Sequence, residues 1–151
     1  MLFSPHWADP VRHALIDPVL LSRALAERKD KLVLLEGTPE PDRPHILRFM
    51  EHENPGEYLH LSDDAFRLLL WKYINFPRQA IKELDRVQTV YIADFDNVIP
   101  PVCQPLIDSF IEFFEDLPGT KIVATTQSRP HHILRHLYYY GYDYCIYRFV
   151  M

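Results

Sequence analysis

Five apolar runs, KLVLLE at 31–36, one that follows the turn in NPGEYLHLS at 54–62, TVYIADF at 89–95, KIVATT at 121–126 and YDYCIYRFV at 142–150, are separated by stretches with a helical period. Near-continuous apolar runs mark strands covered on both faces, and regular alternation with helices makes those strands parallel. Asp17 and Pro18 open a leading helix whose stripe is Leu20, Leu21, Ala24 and Leu25, ending at ERKDK. Further helices are expected at 44–53, through Ile46, Leu47, Phe49 and Met50, and at 63–74. Another carries Ile81, Leu84 and Val87, a long one ends near Leu117, and the last starts at Ser128 and Pro130 and stops at Gly141. The expected fold is a single α/β domain over residues 1–151, a three-layer α/β/α arrangement around a five-stranded parallel sheet.

Composition narrows the function. With 48% hydrophobic and 25% charged residues, the chain can bury an ordinary core. A net charge of −5 and a pI near 5.9 oppose general nucleic-acid binding, which needs clustered Lys and Arg. The two cysteines, Cys103 and Cys145, lack the density of a disulfide scaffold and the pairing of a zinc ribbon. MLFSPHWADP has neither the basic start nor the apolar core of a signal peptide, so the expected setting is the cytoplasm, without membrane contact.

Three segments carry candidate chemistry. Residues 37–44, laid on the phosphate-binding pattern G-x-x-x-x-G-K-[ST], read GTPEPDRP: Gly37 matches the first glycine and Arg43 stands at the lysine. Prolines 39, 41 and 44 have no N–H to offer a phosphate, and Glu40 and Asp42 add negative charge. VYIADFDNV has the form of a Walker B strand ending in Asp94, with Phe95 where a second acid normally follows and Asp96 one residue on, on the opposite face if the strand continues. IVATTQSRP supplies a strand, small polar residues and a helix start.

In that order the three segments resemble the ATPase core of AAA+ proteins, most closely bacterial replication initiators of the DnaA type and their short Hda-like relatives. The resemblance spans about residues 12–149 and implies the strand order 5-1-4-3-2, with the sensor-like strand 121–126 between 31–36 and 89–94. The family carries a Ser-Arg pair shortly before the glycine, where this chain has His136 and Leu137, with Arg135 too early. A helical lid would follow the last strand, and the sequence ends at Met151. These departures from the loop, the acid, the arginine and the lid imply a pseudo-ATPase with no cofactor, which binds a protein partner such as an active AAA+ protein or a replication component, or associates with itself. The partner surface is expected in residues 138–151, which a lid would otherwise cover, with Tyr139, Tyr142 and Arg148 as anchors.

A different enzyme class is the alternative. ADFDN also resembles the metal-binding strand of NYN/PIN-type nucleases and the Asp-x-Asp start of HAD-like phosphatases, which would make Asp94 and Asp96 magnesium ligands. Those folds usually open on the acid strand, whereas two strands precede it here, and Asp143 is the one later recruit. His132 and His136 share a helix face without a third ligand at fixed spacing, which reads as an exposed histidine face.

Overall fold

The structure, a computed structural model, describes residues 2–5, 31–53, 56–117, 119–128, 130–142 and 144–150. Its strands are β1 (Leu2–Pro5), β2 (Leu32–Glu36), β3 (Tyr58–Leu61), β4 (Thr89–Ile92), β5 (Lys121–Thr126) and β6 (Tyr144–Val150). The helices are α1 (Arg43–Glu53), α2 (Asp63–Asn75), α3 (Pro77–Glu83), α4 (Gln104–Asp116) and α5 (His131–Tyr139). The six strands pair in one sheet of order β1-β6-β2-β5-β4-β3. From β6 to β3 every pairing is parallel, which is the expected 5-1-4-3-2 order with the sensor-like strand between the other two. The sequence reading missed β1, which runs antiparallel along β6 with Leu2 opposite Val150. The leading helix expected from Asp17 lies outside the described residues.

Alternation along each strand divides the core in two. Leu32, Leu34, Val90, Ile92, Ile122, Ala124 and Ile146 face α2, α4 and α5. Val33, Leu35, Tyr91, Val123, Cys145 and Tyr147 face α1 through Ile46, Leu47 and Met50. Helix α2 begins where Ser62 accepts a hydrogen bond from the Ala65 N–H, and Asp63 and Asp64 complement the dipole of its first turn. It buries Phe66, Leu69, Leu70 and Tyr73, the spacing of one helical face. Helix α4 buries Phe110, Phe113 and Phe114; Phe66 meets Phe113 edge-on at 5.9 Å, and Phe95 meets Phe110 at 5.8 Å. Lys31 donates to the Leu117 carbonyl at 3.2 Å, placing a cation at the C-terminal end of α4.

Helix α5 closes with a Schellman motif: the Tyr142 N–H reaches the Leu137 carbonyl (2.9 Å) and the Gly141 N–H the Tyr138 carbonyl (3.1 Å). Gly141 sits at φ 75°, as that cap requires. Two boundaries differ from expectation. Helix α3 stops at Glu83, so Leu84 and Val87 lie in the turn beyond it, and β4 stops at Ile92, two residues short of Asp94. Among the described residues, no helix is long and apolar enough to cross a membrane.

Candidate functional site

The chain leaves β2 for β3 on one side of the sheet and returns to place β6 on the other. In open α/β sheets, the crevice at the carboxyl ends of the strands beside such a reversal is where ligands bind. Here the residues that meet at those ends bind one another.

Gly37, at φ 75°, turns the chain out of β2, and its N–H donates to the Thr126 carbonyl at the end of β5 (2.8 Å). A 3-10 turn follows at Glu40–Asp42, with the Asp42 N–H on the Pro39 carbonyl (2.9 Å), and α1 starts at Arg43. Between 37 and 44, then, three residues lack an N–H and two others give theirs to the protein. Arg43 is 8% exposed. Its Nε donates to the Thr38 carbonyl (3.0 Å), Nη2 to the Gln127 Oε1 (2.9 Å), and Nη1 forms an ion pair with Asp94. The fork of the guanidinium thus joins the loop to the ends of β4 and β5 and finds its counter-charge within the chain. Charge at the lysine position was legible in the sequence; the partners Thr38 and Gln127 were not, because they meet Arg43 only through the sheet order.

Asp94 occupies the left-handed region (φ 66°, ψ 58°), which Asp tolerates better than most residues, and its N–H donates to the Thr125 hydroxyl (3.2 Å). That reversal ends the strand. Phe95–Asn97 form a 3-10 turn, so Asp96 is not on the opposite face of a continuing strand, and Phe95 drops into the core at 2% exposure. Asp96 accepts from the Gln127 N–H at 2.8 Å, the Ser128 N–H at 3.0 Å and the Thr126 hydroxyl at 2.9 Å. Burial pushes its pKa up, but the Ser128 and Gln127 amides and the Thr126 hydroxyl outweigh that and hold it below the usual carboxylate range.

A group whose folded pKa is lowered stabilises the fold above its unfolded pKa, about 4, and loses that contribution as pH falls through the folded value. Asp96→Asn is therefore expected to cost about 1–3 kcal/mol at neutral pH, with a smaller difference from the parent in acid. Urea unfolding of both proteins at neutral and acid pH measures it.

The structure brings Gly37, Arg43, Asp94 and Asp96 to one crevice and leaves the aromatic candidates elsewhere. Tyr139, at the end of α5, is 81% exposed, with Tyr138 and Tyr140 beside it. Tyr142 is half-buried, its ring edge-on to Phe114 at 5.5 Å. Arg148 lies at the other end of β6, its Nε 3.5 Å from Glu36. Cys145 is buried and Cys103 partly so, and neither is in a disulfide. His132 donates from Nε2 to the Ile99 carbonyl (2.7 Å), and among the described residues no three His, Cys, Asp or Glu side chains converge on a metal-sized site. Asp143 lies outside the described residues.

The fold has solved relatives. A crystal structure of a DNA replication initiation factor superposes with a TM-score of 0.57 at 12% identity, over 83% of this chain and 42% of that one. DnaA from Aquifex aeolicus with AMPPCP bound superposes with a TM-score of 0.56 at 12% identity, over 83% of this chain and 44% of that one. The α/β fold with a five-stranded parallel sheet is thus similar to that of DnaA, and the chain spans less than half the length of either neighbour. No protein-family model matches the chain. No curated protein matches it by sequence.

Proposed function

We propose that the chain is a non-catalytic protein-binding module: a pseudo-ATPase that keeps a nucleotide-binding architecture and uses its surface to engage a protein partner. The observation that carries this reading is Arg43. The residue at the lysine position has Asp94, Gln127 and the Thr38 carbonyl as its ligands, so a phosphate would have to displace an internal ion pair to reach it. The loop offers few N–H groups in compensation, and its sequence carries two acids, Glu40 and Asp42, where an anion site calls for positive charge. Arg43→Lys alone should not create ATP binding, because it restores neither the missing glycine nor the N–H groups of three prolines. Saturable binding of labelled ATP by that variant would show an intact cradle.

Likeness to replication initiators supports an AAA+ protein or another replication component as partner. The proposed contact surface centres on Tyr139 and its exposed neighbours, with Arg148 further along β6. The local packing separates the three anchor candidates. Tyr142→Ala, which removes a ring from Phe114, should lower the thermal midpoint by a few degrees. Tyr139→Ala and Arg148→Ala should leave it within about 1 °C while weakening retention of the partner from native cell extract. If both variants retain the same proteins as the parent, the surface is misassigned.

A further inference from the structure

The sheet has an open edge at β3, and that edge has a built recess on each of its two faces. Strand β3 follows β1-β6-β2-β5-β4 as the last in the sheet, and among the described residues no strand lies outside it. The Glu57 carbonyl accepts from the Gln88 N–H (2.8 Å) on the β4 side. N–H and C=O of one residue point the same way along a strand, and the direction alternates. Glu57, Leu59 and Leu61 therefore face β4, and the N–H and C=O groups of Tyr58 and His60 point away from it.

On the α2 face, a recess of about 240 Å³ is lined by aliphatic side chains, Leu59, Leu61, Leu68, Leu69 and Leu84 among them, together with the ion pair of Lys72 and Glu83. Leu68 at its lip is 69% exposed, large for an aliphatic side chain on a helix that buries its opposite face. On the α1 face, a wider groove of about 940 Å³ runs past Leu47, Arg48, Glu51, His52, Tyr58 and His60. Tyr58 and His60 are its aromatic lining, with His60 stacked on the buried Tyr91 at 5.0 Å. Glu51 is engaged by His60, while Arg48 and His52 stand exposed on the rim.

We infer that the β3 edge is a docking site for an extended peptide segment of a partner protein, which adds a seventh strand with aliphatic residues in the Leu59–Leu68 recess and acidic residues towards Arg48 and His52. The backbone groups at the edge call for a strand, and a strand projects successive side chains to opposite faces, where the two recesses lie. The apolar lining on one face and the basic rim on the other select the aliphatic–acidic alternation. A second copy fits less well. Pairing β3 with β3 would use the outward groups of two residues per chain, and the strand YLHL carries no acidic residue to set against Arg48 and His52. The α1-face groove reaches Pro44 and Ala93, beside the crevice around Arg43, but the β3 edge does not use Arg43 itself, and the inference holds whether or not that crevice takes a nucleotide.

The test uses the full chain, isotopically labelled, and a library of seven-residue peptides alternating Leu, Ile or Val with Asp or Glu. The expected result is saturable binding that shifts the backbone amides of Tyr58 and His60. It should weaken at least tenfold on N-methylation of the peptide amides that face β3, and at least tenfold with Leu68→Asp, an exposed change that should leave the fold intact by circular dichroism. Three results would each overturn the inference: no binding member in the library, equal binding by the N-methylated peptide, or a concentration-dependent dimer in sedimentation that Leu68→Asp abolishes.

Discussion

Phe95→Glu, which puts an acid where a Walker B strand carries its second one, is expected to unfold the chain rather than confer ATP hydrolysis. Phe95 is 2% exposed and meets Phe110 edge-on at 5.8 Å. Truncating a buried phenylalanine costs about 3–5 kcal/mol, and a carboxyl group placed there adds the penalty of burying a charge or protonating it. The total, about 5 kcal/mol or more, equals the whole stability of many domains of this size. Phe95→Leu, which keeps the site apolar and most of its volume, should cost far less, about 1–2 kcal/mol. Urea unfolding followed by far-UV circular dichroism separates the two. A folded Phe95→Glu protein that hydrolyses ATP would mean that position 95 can face the crevice.

The second large effect is at Arg43. Arg43→Ala removes a buried guanidinium and leaves the Thr38 carbonyl, Gln127 and Asp94 without its hydrogen bonds, at a cost of about 3 kcal/mol. Asp94 is partly exposed, and water can answer its charge, which keeps the figure at the low end for a broken buried pair. Asp94→Asn retains a hydrogen-bonding oxygen for Nη1 and should cost less than Arg43→Ala. If Arg43→Ala unfolded at the parent's urea midpoint, the three-way contact would not hold the loop to the strand ends.

These two positions show what was legible in the sequence. The sheet order could be anticipated because apolar runs and helix starts recur in the order of a known architecture, and each strand's pattern reports burial on both faces. The buried fate of Phe95 was not legible: it depends on Asp94 adopting a left-handed conformation, which ends β4 at Ile92 and turns the next side chain inward. The partners of Asp96 were not legible either: its amide donors, Gln127 and Ser128, lie over thirty residues on and reach it only through the pairing of β4 with β5. Strand β1 escaped notice because four residues ending in proline carry little periodicity, and what defines them as a strand is their pairing with β6.

The central claim is that Arg43 is satisfied within the chain and that residues 37–44 hold no nucleotide phosphate. Titration of the unmodified protein with fluorescently labelled ATP and ADP in the presence of magnesium tests it most directly. No saturable signal is expected for either nucleotide up to about 1 mM, a limit that corresponds to a binding free energy no better than about −4 kcal/mol. Binding in the micromolar range, accompanied by turnover of ATP, would contradict it.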